Sequence, residues 1–225
     1  MPSTTIKTRA KNKPSIHISV MVGKLDGLKA ISTNTVTNDF CVKMNSQGDT
    51  ICKLCYSHGM LKSYRKNMQP ALQRNSDALS GRLLDQSELP TILDAFLRIN
   101  AHGELINAMH LENICRIAEH NPHCNVALWT KRKDIVNKLF KNRDKPTNLI
   151  LVYSNPKVDN ILETIPKHFD KVFNNVSFEN HQDRQNCTGQ QCKSCLACYK
   201  FGGTDIIVEA VKLNGRAIKQ HKKGL

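Results

Sequence analysis

Acidic and aromatic residues are scarce in this chain. Asp and Glu number 19 against 33 Lys and Arg, and aromatic residues make up 5% of the sequence, with one tryptophan, Trp129. No apolar run reaches the length of a bilayer span, so a membrane-spanning helix is not expected in this chain and no membrane partner is expected. The first thirty residues also lack the apolar stretch of a secretion signal. They are polar and basic instead (Lys7, Arg9, Lys11, Lys13), and the expectation is a cytoplasmic protein. P-loop, G-x-G-x-x-G, H-E-x-x-H and G-x-S-x-G patterns are missing, so none of those signatures directs the reading. There is no internal repeat and no long low-complexity linker. Nine cysteines is an odd number, unlike the even count of a secreted disulfide framework.

What is present suits one α/β domain. The chain has 225 residues, 40% hydrophobic and 23% charged, enough for a real core. The expected division is a flexible basic N-terminus over 1–15, a single domain over 16–212 and a basic tail over 213–225. The formal net charge of +14 favours polyanions, so nucleic acid or a nucleotide is a candidate partner. The plainer reading is solubility. Four thiolates on a four-iron cluster carry about −2, which would offset part of the excess.

Along the chain, Ile16, Ile18, Val20 and Val22 alternate as on a half-buried strand. Residues 41–55 read as a cysteine-bearing loop. Residues 57–80 have helical character interrupted by Pro70, and Ser87 is a candidate cap for a short helix to Leu93. A strand at Phe96–Asn100 then meets the turn His102-Gly103. A helix follows with Ile106, Met109, Ile114, Ile117 and Ala118 on one stripe, stopped by Asn121-Pro122. Next come strand Val126–Trp129, helix Ile135–Phe140, strand Leu149–Tyr153 and a short helix near Val158–Ile165. Strands Val172–Phe178 and Ile206–Val211 complete the pattern. This alternation predicts βαβ units, a mainly parallel sheet and an open, partial β/α barrel. Active groups in such folds collect where strands end. Those positions carry Arg98 with His102 and Glu104, then Thr130-Lys131-Arg132, then Ser154-Asn155.

Seven cysteines fall into two groups. Cys187, Cys192, Cys195 and Cys198 lie within twelve residues as C-x4-C-x2-C-x2-C. Zinc ribbons usually separate two C-x2-C knuckles by a longer stretch, whereas this compact run resembles those that wrap a four-iron cluster. Cys41, Cys52 and Cys55 form C-x10-C-x2-C. Three thiolates on a four-iron cluster leave one iron without a protein ligand, able to take substrate or S-adenosylmethionine (SAM). The alternative is a zinc site completed by His58. Cys115 sits on an apolar helix as a buried thiol. Cys124 follows His120 and His123 at what reads as a turn. Phe40, Tyr56 and Tyr199 flank cysteines and are candidate shields, while Trp129 reads as core.

The ordered motifs F-C-x10-C-x2-C-Y, L-R-I-N-x-H-G-E-L, A-L-W-T-K-R, L-V-Y-S-N-P and N-C-x4-C-x2-C-x2-C-Y resemble those of the bacteriophage gene product 88 family. That family is in turn similar to radical-SAM proteins in layout, although the first cysteine gap here is ten residues against the usual three. The resemblance implies Cys41, Cys52 and Cys55 as ligands of an open cluster, with Gly103 and Glu104 as SAM contacts. It further implies an auxiliary cluster on Cys187, Cys192, Cys195 and Cys198. The expectation is then an iron–sulfur enzyme in the host cytoplasm, with one or two [4Fe–4S] clusters, possible use of SAM and an external electron donor. Its candidate catalytic groups are Glu104, His102 and Lys131, and its candidate cofactor contacts are Gly103, Glu104, Thr130, Ser154 and Asn155. The rival expectation is a non-catalytic iron–sulfur or zinc protein that binds nucleic acid or a host factor.

Overall fold

A computed structural model describes residues 16–48, 50–177 and 182–210. The expected basic N-terminus and C-terminal tail lie outside these residues, as do Phe178 and Val211 at the ends of two expected strands.

The core is built on strand alternation. In β4 (Asn125–Thr130), Val126 and Leu128 point to one face, and Ala127 and Trp129 to the other; all four are buried. A strand buried on both faces belongs inside a parallel sheet. Its neighbours are β3 (Phe96–Ile99) and β5 (Leu149–Val158), both parallel to it. The sheet continues to β2 (Lys29–Ile31) and β1 (Ile18–Val20) on one side, and to β6 (Lys171–Val176) and β7 (Ile206–Ala210) on the other. Among the described residues, seven strands thus lie in the order β1 to β7, parallel except for the β1–β2 hairpin. The sheet is open, with β1 and β7 at its edges. Strand order follows chain order throughout, so the sheet has no topological switch point.

The two faces are covered differently. On one face, β residues pack with Leu79 of α3 (Gln69–Gly81), with the apolar stripe of α4 (Ala108–His120) and with Ile135 and Val136 of α5 (Lys133–Leu139). Helix α4 shows how sequence produces this. Asn107 caps it by accepting from the His110 amide (2.9 Å), and Leu111, Ile114, Ile117 and Ala118 are fully buried. Each such large side chain contributes about 1.5–3 kcal/mol. Asn148 Nδ2 then reaches the carbonyls of Ala118, Asn121 and Cys124 within 3.0 Å and ties the turn from α4 into β4. Among the described residues, no long helix packs on the opposite face. Its cluster of Leu28, Ala127, Trp129, Ile150 and Val152 is capped by Tyr199, Leu196, Cys192 and Cys198 from the second cysteine segment.

Several sequence expectations change. Cys41 lies on a helix, α1 (Asp39–Ser46), and only the later part of 41–55 is loop and 3-10 turn (Ile51–Leu54). Pro70 opens α3 within its first turn, where a proline needs no amide hydrogen, and a separate helix α2 (Tyr56–Lys62) precedes it. Ser87 caps nothing. Asp85 and Glu88 form a capping box around a 3-10 turn at Gln86–Glu88. The helix expected near Val158–Ile165 is absent. There β5 runs on to Val158 past a register break, and the chain turns at Asp159 (φ 59°), whose carboxylate accepts from Ser177 N and Oγ. Strand β1 is short, and Val20 and Val22 are 70% and 66% exposed where alternation predicted a buried face.

Candidate metal centres

The four C-terminal cysteines line one cavity of about 340 Å³. Local structure places them around it. Cys187 forms an isolated parallel bridge with Glu209 of β7, and its amide donates to Val208 O (3.0 Å). Cys192 and Cys195 bound a one-turn helix, α6 (Cys192–Cys195), which ends at Leu196 in the left-handed region (φ 53°). Cys198 follows on the next turn. Tyr199 fastens this segment to the sheet. Its ring is buried against Trp129 (centroids 5.4 Å apart) and Phe96 (6.3 Å), and its carbonyl accepts from Asn125 Nδ2 (3.1 Å).

Charge around this cavity is unbalanced. The Arg98 guanidinium lies 3.9 Å from the Trp129 ring centroid, and its Nε is buried without a hydrogen-bond partner. Among the described residues no carboxylate pairs with it; Tyr199, Tyr56 and Cys198 are the groups that favour its charge. Burial pushes the Cys198 thiol up to about 12 and also raises Cys192, while Arg98 opposes both shifts. Burial likewise raises Cys187, opposed by Lys24. A buried cation without a counter-charge is unfavourable. Thiolates bound to a metal cluster in this cavity would supply that counter-charge, so the donor set fits a thiolate-ligated cluster.

Cys41, Cys52 and Cys55 are brought together by α1. Asn38 caps the helix by accepting from the Cys41 amide (3.3 Å). Asn45, one turn beyond Cys41 on the same helix face, donates to Cys52 O (2.7 Å), and the Cys55 amide donates to Cys52 O (3.1 Å). All three thiols are free and partly accessible. Burial is the main cause raising Cys41 and Cys52. Glu104 and the neighbouring thiols add to it, and Lys131 opposes it. His58, the candidate fourth ligand of a zinc site, is buried with Nδ1 at the Thr35 carbonyl (3.3 Å). Among the described residues, no group of three or more His, Cys, Asp or Glu side chains is arranged to hold a metal ion.

The strand-end candidates separate by role. Glu104 is buried, and its carboxylate accepts from Leu105 N (2.7 Å), Thr130 Oγ1 (2.5 Å) and Lys131 N (2.8 Å). It welds the end of β3 to the end of β4, and Thr130 is spent in the same network. Gly103 has φ 89°, and a Cβ there would stand 2.0 Å from Thr33 Oγ1. The close approach of Thr33 is enough to require a glycine here. His102 contacts Ser57 Oγ through Nδ1 (3.0 Å) and packs edge-on against Tyr56 (5.8 Å). Burial and Arg98 lower it to about 4, so it is neutral at pH 7. Lys131 Nζ donates to Ser154 Oγ (2.9 Å), and its charge acts on Cys41 and Cys52. Ser154 and Asn155 point to opposite faces. Asn155 is tied to Asn160 O and Asn174 Oδ1, which removes it from the site Ser154 faces.

Cys115 and Cys124 are buried, both raised to about 12 chiefly by burial. The histidines near Cys124 are engaged elsewhere: His120 with Gln86 (2.9 Å) and His123 with Ile92 O (2.7 Å). Sequence reasoning missed Lys24, whose Nζ lies 3.0 Å from Cys187 Sγ and pairs with Glu209. No local pattern signals a partner 163 residues away. It also missed Lys171, a buried cation held by Gly202 O, Thr204 O and Asp205, which closes the cysteine segment back onto β6.

Fold and site together define an open, mostly parallel α/β protein with two groups of free cysteines. The chain belongs to the Gene product 88 family, whose sequence profile matches residues 7–186. That match takes in Cys41, Cys52 and Cys55 and stops one residue short of Cys187. No curated protein and no solved structure matches the chain.

Proposed function

We propose that this phage-family protein is an iron–sulfur enzyme with two unlike centres on a partial β/α barrel, radical-SAM-like in layout. The observation that carries the reading is the cavity ringed by Cys187, Cys192, Cys195 and Cys198, with the Arg98 guanidinium acting on Cys192 and Cys198 and no carboxylate paired with it among the described residues. Four thiols spread around about 340 Å³ suit a multi-iron cluster better than a single zinc ion, whose four ligands converge within about 2.3 Å of one point. With all four ligands from protein, this centre is suited to passing electrons or stabilising the segment.

The three-cysteine group is the reaction centre in this reading. A four-iron cluster held by Cys41, Cys52 and Cys55 supplies one iron free to bind a small molecule, SAM being the first to test. The chain's own residues prepare that place. Lys131, anchored on Ser154, opposes the effect of burial on Cys41 and Cys52. Glu104 fixes the Lys131 backbone, and neutral His102 adds no competing charge. Glu104 thus acts as a positioning residue, and Lys131 is the group that meets the ligand.

The test is iron, sulfide and zinc analysis of anaerobically prepared protein, followed by reduction in the presence of SAM. About eight irons with matching sulfide per chain, absorbance near 400 nm and release of 5′-deoxyadenosine support the whole reading. Iron without SAM cleavage removes the radical mechanism. Zinc with no sulfide removes the iron–sulfur reading. Strongly salt-dependent binding of DNA or RNA by iron-loaded but SAM-indifferent protein would favour the nucleic-acid role that the charge of +14 suggests.

A further inference from the structure

Lys24 and Glu209 come from opposite edges of the sheet's hydrogen-bonding order, yet they meet at one sulfur. Lys24 lies on the 3-10 turn Gly23–Leu25 inside the β1–β2 hairpin, and Glu209 lies on β7. Lys24 Nζ stands 3.0 Å from Cys187 Sγ and is ion-paired with Glu209, whose Oε1 lies 3.9 Å from the same sulfur. Both side chains are only 29% exposed, so water and salt screen them less than a surface pair. Lys24 also lines the four-cysteine cavity.

The meeting is fixed from both sides. At Gly27 (φ 76°) the space a Cβ would take is filled by the Lys193 side chain, 2.8 Å from its Cδ, so the hairpin presses on α6. Glu209 is held by its bridge to Cys187.

We infer that Lys24 and Glu209 form an opposed pair that sets the reduction potential of the four-cysteine centre. The inference rests on the iron–sulfur reading above. An N–H donor and positive charge at a ligand sulfur favour the electron-rich reduced state, so Lys24 raises the potential. A carboxylate beside the same sulfur disfavours it, so Glu209 tempers that rise. During reduction one electron enters from the external reductant, Lys24 keeps its proton, and no bond of either side chain is made or broken. Lys24 was invisible as a functional residue in the sequence because its partners lie more than 160 residues away.

The experiment is a dithionite redox titration of the reconstituted full chain, with electron paramagnetic resonance read in a background of Cys41→Ser/Cys52→Ser so that only the four-cysteine centre reports. Lys24→Met is expected to move the potential down, Glu209→Gln to move it up, and Lys24→Arg to leave it near wild type. A purely structural role would not shift the two variants in opposite directions. Unchanged potentials, or shifts of the same sign in Lys24→Met and Glu209→Gln, overturn the inference. Should Lys24→Met lose the cluster, Glu209→Gln decides alone: a rise supports the pairing, and no change or a fall overturns it. Absence of iron and sulfide from the parent protein is a different failure, that of the iron–sulfur reading itself.

Discussion

The two cysteine regions differ in what holds them. The four-cysteine segment is pinned to the sheet by a buried aromatic, Tyr199, and surrounded by charge: Lys24, Glu209 and Arg98. The three-cysteine region is held by polar contacts from helix caps and turns, chiefly Asn38 and Asn45, with Lys131 and Arg132 acting on its thiols. In the proposed reading, the packed four-cysteine site suits electron transfer and the polar three-cysteine site suits exchange of a bound molecule. The difference teaches that cysteine count alone does not assign roles; the packing under each group does.

The largest expected effect tests the ligands themselves. Cys192→Ser/Cys198→Ser should lose about half of the bound iron, while Cys41→Ser/Cys52→Ser should lose the other half. Iron and sulfide analysis with the 400 nm band checks both. Loss of all iron in either variant would mean that the regions share one cluster.

Next is the packing contrast. Tyr199→Ala removes a side chain that is 1% exposed between Phe96 and Trp129, at a cost of about 3–5 kcal/mol. Asn45→Ala, at a partly exposed hydrogen bond to Cys52 O, should cost only about 1 kcal/mol. Urea denaturation of the two variants measures the gap, and equal costs would erase the distinction.

A strand-end variant follows in size. Gly103→Ala forces a Cβ against Thr33 at positive φ and should cost about 1–3 kcal/mol whether or not SAM is present. If the loss of stability were negligible and only SAM binding fell, the glycine would serve the ligand after all.

The remaining effect is in pH. Burial lowers His110 to about 3, and burial with Arg98 lowers His102 to about 4. Unfolded histidine titrates near 6.5, so below that pH the unfolded chain binds more protons and stability falls with acidification, most of it between about pH 6.5 and 4. Glu104, raised by burial, acts in the opposite sense. His110→Gln should flatten the fall by about one proton, read from urea midpoints at pH 7, 6 and 5; an unchanged slope would remove His110 from the account.

Much of the fold was legible because the signals were local. Strand β4 and helix α4 carry unambiguous periodicity, and Asn121-Pro122 marks the helix end. Strand β2 has three residues, too few for a period to register. The crossover after Val158 contains apolar residues at helical spacing, but strand continuation and the Asp159 turn prevail there. The cysteine groups were visible as spacing, and the strand-end positions as loops. Their roles were not. The internal contacts of Gly103 with Thr33, and of Glu104 with Thr130 and the Lys131 amide, have no signature in the sequence. Lys24 and Glu209 become neighbours of a thiol only through the pairing of distant strands, which no short motif records.

The most direct test of one open and one closed centre is electron paramagnetic resonance of the reduced, fully loaded protein before and after SAM is added. The account predicts two signals. One should shift with SAM and survive in Cys192→Ser/Cys198→Ser; the other should ignore SAM and survive in Cys41→Ser/Cys52→Ser. Two signals that respond alike, or a shift belonging to the four-cysteine centre, would contradict it.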